Sequence, residues 1–208
     1  MGELQPGQHL VEQAWAARLG IGQPTIREAL RELEYQGFVE KIPRRGTYVT
    51  QLKEGDYRRI LEVRIPLESL AIGRAAIRMT HETEQQLTSL VVRMGSAAEA
   101  GDLKGFHEND VMFHRAIWDL ADNAYLKSML EGVAFRLFVF SVVGPRPNKR
   151  NANLASVQQH VGILAGLTTR DAGQARRAFV SQTLKYWNEH YSLDLTVDEF
   201  QSVAVMRP

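Results

Sequence analysis

Asp110 and His114 stand four residues apart in a stretch of helical periodicity, so both side chains lie on one face of the predicted helix. The apolar positions Phe113 and Ile117 adjoin that face, which directs the pair into a helical bundle. A carboxylate and an imidazole one turn apart can chelate a divalent metal, and they can equally form a hydrogen-bonded pair. His107, one turn before Asp110, is a rival ligand that we expect to be exposed.

Two polar residues on later helices could join this pair. His160 lies at the inner edge of a predicted helix, next to the apolar positions Val157 and Ile163. Gln182 lies on the last predicted helix, close to Phe179. The chain contains no Cys, so His and carboxylates are the available metal ligands. The residues alone leave two interpretations open, a metal site and a satisfied polar cluster.

The elements that must position these residues are helices, and no strand pattern follows Val49. We predict an antiparallel all-α bundle, in which Pro66 kinks the first helix and Thr80 caps the second. The predicted helices are Tyr57 to Met79, Thr80 to Ala100, Leu103 to Ala121, Ala124 to Val143, Leu154 to Leu167 and Asp171 to Tyr191. A basic, Pro-rich loop is expected over residues 144–150, and the tail from 192 to 208 has too few signals to assign.

The first 52 residues have a different character, with short segments separated by Gly and Pro. We predict helices over residues 11–19 and 24–36 and a hairpin formed by residues 38–42 and 47–50, followed by a linker at 51–56. Gly20 is expected to end the first helix in the left-handed conformation. This layout is that of a winged helix-turn-helix, so the fold class is mainly α with a small β-hairpin wing. The domains expected are therefore 1–52, 57–191 and a tail at 192–208.

The second helix of this unit has an apolar face and a face that carries Arg27 and Arg31. Such a helix can lie in the major groove of DNA, and a wing tipped by Arg45 and Gly46 can reach phosphate or the minor groove. The alternative is a structural domain in which the arginines pair only with Glu28 and Glu32 at helical spacing.

Composition restricts the class of protein but does not identify it. The 208 residues are 44% hydrophobic and 24% charged with a net charge of +1, which is typical of a soluble globular protein. No apolar run approaches the ~20 residues of a membrane span, and the N-terminus lacks the pattern of a signal peptide. We therefore expect a cytoplasmic protein with no membrane partner.

The run LQPGQHLVEQAWAARLGIGQPTIREALRELEYQGFVEKIPRRGTYVTQL resembles the GntR family of bacterial transcription regulators almost position by position. Trp15 stands where the family usually has Leu, which suggests a core residue. The family's first helix, which normally precedes the Leu-x-Pro-Gly turn, is not found in this sequence, and we expect the chain to start late. By this resemblance, contacts with DNA are implied for Gln23, Thr25, Arg27, Arg31, Arg45 and Gly46. Many relatives have Arg at the position of Gln23, and Gln prefers adenine where Arg prefers guanine.

The segments RIPLESLAIGRAA, DVMFHRAIWDLADNAYL and QQHVGILAGLTTRDAGQARRAF resemble the FCD ligand-binding domain of the FadR subgroup of that family. Many members hold a divalent metal with an Asp, the His four residues on and two later histidines. Asp110, His114 and His160 match the first three, and Gln182 stands at the fourth position, where Gln is a weaker ligand than imidazole. The implied metal is Zn, Ni or Mn, although members that sense acyl-CoA have none. Arg64 matches a family Arg that resembles a partner for an effector carboxylate, and pairing with Glu68 on its own helix is the alternative.

Two functions from different classes remain. The first is a homodimeric repressor that binds a palindromic operator and responds to a small organic acid bound in the helical domain. The second is a metal-dependent helical-bundle enzyme that uses Asp110, His114 and His160 to activate water. No general base at a recognisable spacing supports the enzyme.

Overall fold

The structure is a computed structural model that describes residues 4–143 and 149–200. Its described residues divide into two compact units. The first contains the chain up to residue 57 together with residues 136–143, and the second contains the remaining residues. Each unit is described in turn below.

The first unit has the predicted winged helix-turn-helix order with one additional strand. Its elements are β1 (His9–Leu10), α1 (Glu12–Leu19), α2 (Gln23–Tyr35), β2 (Val39–Ile42) and β3 (Gly46–Val49). The three strands form an antiparallel sheet in the order β1-β3-β2. Sequence analysis missed β1, because two residues are too few to show an alternating pattern.

The turn between the two helices forms for local reasons. Gly20 has a φ of 66°, and its N–H donates to the carbonyl of Ala16, which ends α1 as expected. Pro24 lies in the first turn of α2, where its missing N–H costs nothing. A small core of Leu10, Val39 and Val49 holds the sheet to the helices, and Trp15 packs against it. Trp15 is half-buried and covers this core from α1.

The second unit contains helices and no strand among its described residues, which confirms the predicted fold class. Most of its residues lie in α3 (Glu54–Ile77), α4 (His81–Ala100), α5 (Leu103–Leu120), α6 (Ala124–Val143), α7 (Lys149–Thr168) and α8 (Ala172–Tyr191). Residues 54–57 of α3 and 136–143 of α6 belong to the first unit. α3 continues on both sides of Pro66. α7 begins at Lys149, five residues earlier than predicted. Of the expected loop at 144–150, residues 144–148 lie outside the described residues.

Caps and small residues set the helix ends and the close packing. Thr80 caps α4 with a reciprocal capping box to Thr83, as its sequence position predicts. Asp102 caps α5 by accepting the N–H of Gly105 at 3.0 Å. A Cβ placed at Gly166 would lie 2.5 Å from the Cβ of Ala178, so α7 and α8 approach closely at this point.

Residues 192–200, which sequence analysis left unassigned, pack against the helices of this unit. Asn188 donates to the carbonyl of Leu195 and accepts its N–H, both at 2.8 Å. Leu195 and Phe200 are buried, and Arg58 donates to Glu199 at 2.7 Å. None of the described helices is both long enough and apolar enough to cross a membrane.

Candidate metal centre and candidate nucleic-acid interface

Asp110 and His114 of α5 converge inside the second unit with His160 of α7, which lies 46 or more positions later in the chain. His160 Nε2 lies 2.9 Å from Asp110 Oδ1 and 3.2 Å from His114 Nε2. His114 Nε2 lies 3.6 Å from Asp110 Oδ1. All three side chains are buried. Ligand atoms on a metal with bonds of about 2.1 Å lie about 3.0 to 3.4 Å apart, so these separations fit a shared ion.

The outer nitrogens of the two imidazoles determine what their inner nitrogens can do. His114 Nδ1 lies 2.6 Å from Glu68 Oε1, and His160 Nδ1 lies 2.6 Å from the carbonyl oxygen of Ser156. Both oxygens can only accept, so each Nδ1 carries the proton and donates it. In a neutral ring Nε2 is then left with its lone pair. This is the orientation in which a histidine binds a metal.

Asp110 contributes the third inward-facing acceptor. Its Oδ1 is buried and accepts no hydrogen bond of good geometry, although His160 Nε2 lies close to it. Burial by itself raises the pKa of Asp110, but His160 and His114 outweigh it and hold that pKa well below its ordinary value. An ionised oxygen therefore faces the inner nitrogens of two imidazoles, at 2.9 Å from His160 Nε2 and 3.6 Å from His114 Nε2. Such a group suits a cation better than it suits a satisfied polar cluster.

Glu68 organises one side of this cluster, a role that sequence analysis did not assign. It is fully buried, and it accepts from Arg64 Nε at 2.8 Å and from Trp118 Nε1 at 3.0 Å in addition to His114. Burial raises its pKa, but Arg64, His114 and Trp118 together lower the pKa to about 2. No signal in the sequence connects Glu68 with residues 46 and 50 positions later.

Arg64 forms the ion pair with Glu68 that sequence analysis gave as the alternative to an effector contact. Its side chain is buried, and its Nη2 lies 3.4 Å from His114 Nε2. A guanidinium can only donate, so this contact agrees with a lone pair on His114 Nε2. The effector role of Arg64 stays a prediction.

Gln182 and His107 differ from the three converging residues. Gln182 is half-buried, lies against Gly162 and lines an open groove of about 220 Å³ between α7 and α8 with Gln158 and Lys185. Within the described residues no hydrogen bond connects it with the cluster. His107 was expected to be exposed, and this was wrong, because its ring is buried with its edge against Phe106. The buried face of α5 is wide enough to include His107 as well as Asp110.

In the first unit, α2 carries the residues for which DNA contacts were implied. Gln23, Thr25, Arg27 and Arg31 are all exposed. Arg27 donates to Glu12 of α1 at 2.9 Å, and Gln23 donates to the same carboxylate at 3.2 Å. Among the described residues neither arginine forms an ion pair with Glu28 or Glu32. The pairing that defined the structural alternative is therefore not observed.

The tip of the wing has an unusual backbone that His9 and Tyr48 support. Arg44 and Gly46 have φ values of 62° and 113°, and the side chain of Arg45 is exposed. Tyr48 Oη donates to the carbonyl of Arg45 at 3.1 Å, and its ring stacks on His9 at 4.7 Å. A Cβ at Gly46 would lie 2.4 Å from His9 Nε2, so glycine is required there. Sequence analysis did not predict the roles of His9 and Tyr48.

A winged helix-turn-helix unit and an all-α unit with a buried Asp-His-His cluster together define a class of two-domain regulators. The sequence matches the family of bacterial regulatory proteins named gntR over residues 1–49 and the FCD domain family over residues 59–183. The chain therefore belongs to the GntR family and contains an FCD domain. That family consists of transcriptional regulators and not of enzymes.

Individual relatives agree with this assignment. The chain is 36% identical to a probable D-xylose utilization operon transcriptional repressor of Paenarthrobacter nicotinovorans, over 60% of this chain and 55% of that protein. It is 31% identical to the HTH-type transcriptional regulator YdhC of Bacillus subtilis, over 64% and 59% of the two chains. It thus spans less than two thirds of either relative. The fold is similar to that of Escherichia coli McbR/YncC, with a TM-score of 0.76, 22% identity and coverage of 92% and 90%.

Proposed function

We propose that the protein is an operator-binding repressor whose affinity for DNA is set by a small organic acid bound in the FCD domain beside a divalent metal. The single observation that carries the effector part is the convergence of Asp110 Oδ1, His114 Nε2 and His160 Nε2 at separations of 2.9 to 3.6 Å. The DNA part is supported by the match to the gntR family and by the exposed polar face of α2.

The recognition surface consists of α2 and the wing. Thr25 and Arg31 are exposed, and no other described residue forms a hydrogen bond with their side chains, so both can contact phosphates or bases directly. Arg27 and Gln23 share the carboxylate of Glu12, which holds the two side chains side by side at the start of α2. The carboxylate of Glu12 offsets the positive charge of Arg27 at this end of α2.

The wing adds the second contact. The exposed side chain of Arg45 and the glycine backbone at Gly46 suit an approach to phosphate or to the minor groove. Tyr48 fixes the carbonyl of Arg45, so the turn is ordered before DNA binds. We propose that two such units, one from each protomer of a homodimer, read a palindromic operator in the cytoplasm.

In the FCD domain, Asp110, His114 and His160 would hold the metal, and their mixed nitrogen and oxygen donors suit Zn, Ni or Mn. When bound, the metal supplies coordination positions that a carboxylate of the effector can occupy. Glu68 and the Ser156 carbonyl keep the two imidazoles in the tautomer that this requires. Arg64 lies beside His114 and would neutralise the remaining charge of the acid, and Gln182 occupies the family's fourth position.

The domain division stays part of the proposal, with DNA binding in residues 1–52 and effector binding and dimerisation in 57–191. Binding of the acid in the second domain would favour one of two states of the protein that differ in operator affinity.

The experiment has two parts. A mobility-shift assay with the DNA upstream of the protein's own gene tests operator binding, with an unrelated duplex of equal length as the control. Metal analysis of wild-type protein and of His114→Ala after the same purification tests the centre. Specific retardation together with metal in the wild type alone supports the proposal. Equal affinity for both duplexes contradicts the DNA part, and equal metal content in both proteins contradicts the metal part.

A further inference from the structure

Arg176 on α8 is a buried cation without a counter-charge. Its side chain is 1% exposed, and its Nε and Nη1 have no hydrogen-bond partner. Among the described residues it also forms no ion pair. Arg64, another buried arginine of this domain, has Glu68 as its partner. Buried charges in proteins are normally paired, so an unpaired guanidinium indicates a missing partner.

α3 makes room for this guanidinium with a glycine. A Cβ placed on Gly73 would lie 2.2 Å from Arg176 Nε and 2.7 Å from its Nη2. Any other residue at this position would displace Arg176. Because glycine inside a helix is less stable than alanine, its presence here is explained by the arginine that lies against it.

A second unused polar group lies one turn away on the same face of α3. Ser69 is fully buried, and its Oγ has no hydrogen-bond partner. Ser69 and Gly73 are four residues apart, so their Cβ positions are about 5 to 6 Å from each other. The hydroxyl of Ser69 therefore lies on the face of α3 that carries Gly73, on which the guanidinium packs.

The two groups together indicate the chemistry of the missing partner. A guanidinium can only donate hydrogen bonds, and a serine hydroxyl can add one more donor. Burial lowers the pKa of Arg176, but an arginine remains protonated at neutral pH. The partner must therefore be an acceptor with negative charge.

We propose that Arg176 and Ser69 bind the carboxylate of a small organic acid between α3 and α8. The planar fork of donors on the guanidinium matches the two oxygens of a carboxylate, and Ser69 donates to one of them. This site uses none of the proposed metal ligands, nor Arg64, so it goes beyond the proposed function and does not depend on it.

The test uses acetate as the probe and the full chain after treatment with EDTA and dialysis into a HEPES–chloride buffer. Thermal unfolding of the helical domain is followed by circular dichroism, with sodium chloride at equal ionic strength as the reference. We expect acetate at ten times its dissociation constant to raise the midpoint by about 3 to 6 °C. Because neither metal nor DNA is present, failure of the proposed function leaves this result unchanged.

Three variants assign the effect to the site. Arg176→Met should abolish the acetate shift and raise the midpoint without acetate, because it removes an unpaired buried charge. Arg177→Met is the matched control, since this neighbour is exposed, and it should retain the shift. Ser69→Ala should weaken acetate binding about tenfold. A purely structural arginine would lower the midpoint when replaced and would leave the response to acetate unchanged.

A copurified acid would hide the effect of added acetate, so the dialysed proteins are also extracted with perchloric acid and the extract is analysed for carboxylates. The proposal is also supported if the extract contains one equivalent of acid from the wild type and none from Arg176→Met, even when added acetate does not shift the unfolding midpoint. The proposal is overturned if the wild type shows neither retained acid nor a shift. It is also overturned if Arg176→Met responds to acetate as the wild type does.

Discussion

Replacing Glu68 with Gln is the most informative perturbation of the buried cluster. Gln keeps the size of the side chain but removes the charge that pairs with Arg64 at 2.8 Å and orients His114 at 2.6 Å. The pKa of Glu68 is lowered from 4.5 to about 2, which corresponds to about 3 kcal/mol of interaction with the ionised form. Breaking a buried ion pair by changing one partner costs a similar ~3 to 5 kcal/mol. We therefore expect Glu68→Gln to lower the free energy of unfolding by about 3 kcal/mol.

The same substitution should weaken metal binding. His114 Nδ1 would lose the carboxylate that keeps its proton on the outer nitrogen, and loss of such a partner typically costs 10- to 100-fold in metal affinity. Urea unfolding of metal-free protein measures the first effect, and competition with a chromogenic chelator measures the second. The two readouts separate damage to the fold from damage to the centre.

Glu62→Gln is the matched control for this experiment. Glu62 lies on the same helix and forms an i, i+4 pair with Arg58 at 3.9 Å, but its side chain is 50% exposed. An exposed pair of this kind contributes about 0.5 kcal/mol or less. If Glu68→Gln were as mild as Glu62→Gln in both assays, the inferred organising role of Glu68 would be refuted.

The remaining predictions concern pH, metal affinity and DNA. The pKa of Glu68 is lower in the folded than in the unfolded protein, so its stabilising effect is complete above pH ~4.5 and is lost as the pH falls toward 2. The difference in free energy of unfolding between wild type and Glu68→Gln, measured by urea unfolding, should therefore shrink over that pH range. Gln182→His should tighten Zn or Ni binding in a chelator titration, and an unchanged metal affinity would contradict the role of position 182. His114→Ala should abolish metal binding and largely retain operator affinity. Arg31→Ala should weaken operator binding by about 1 to 3 kcal/mol and reduce the salt dependence in a mobility-shift series, and unchanged affinity would refute a contact by Arg31. Arg27→Ala should have the smaller electrostatic effect, because Glu12 already pairs with this arginine.

Several features follow from the sequence because their causes are local. The i, i+4 spacing of Asp110 and His114 places both on one face of α5, and helical periodicity is a property of neighbouring residues. Gly20 ends α1, and Thr80 begins α4, through contacts within four residues of each position. The order of helices, turn and wing could therefore be predicted, and so could the family.

The tertiary structure alone decided which distant groups meet. His160 reaches His114 only because α7 packs in the same bundle as α5, and Glu68 reaches them from α3. The burial of His107 was predicted wrongly for the same reason, since one helix does not reveal how many neighbours cover it. The pairing of Arg27 with Glu12 likewise depends on the turn between α1 and α2. Contacts between residues far apart in the chain depend on how helices pack, and a periodic pattern specifies which face of a helix is buried but not which partner covers it.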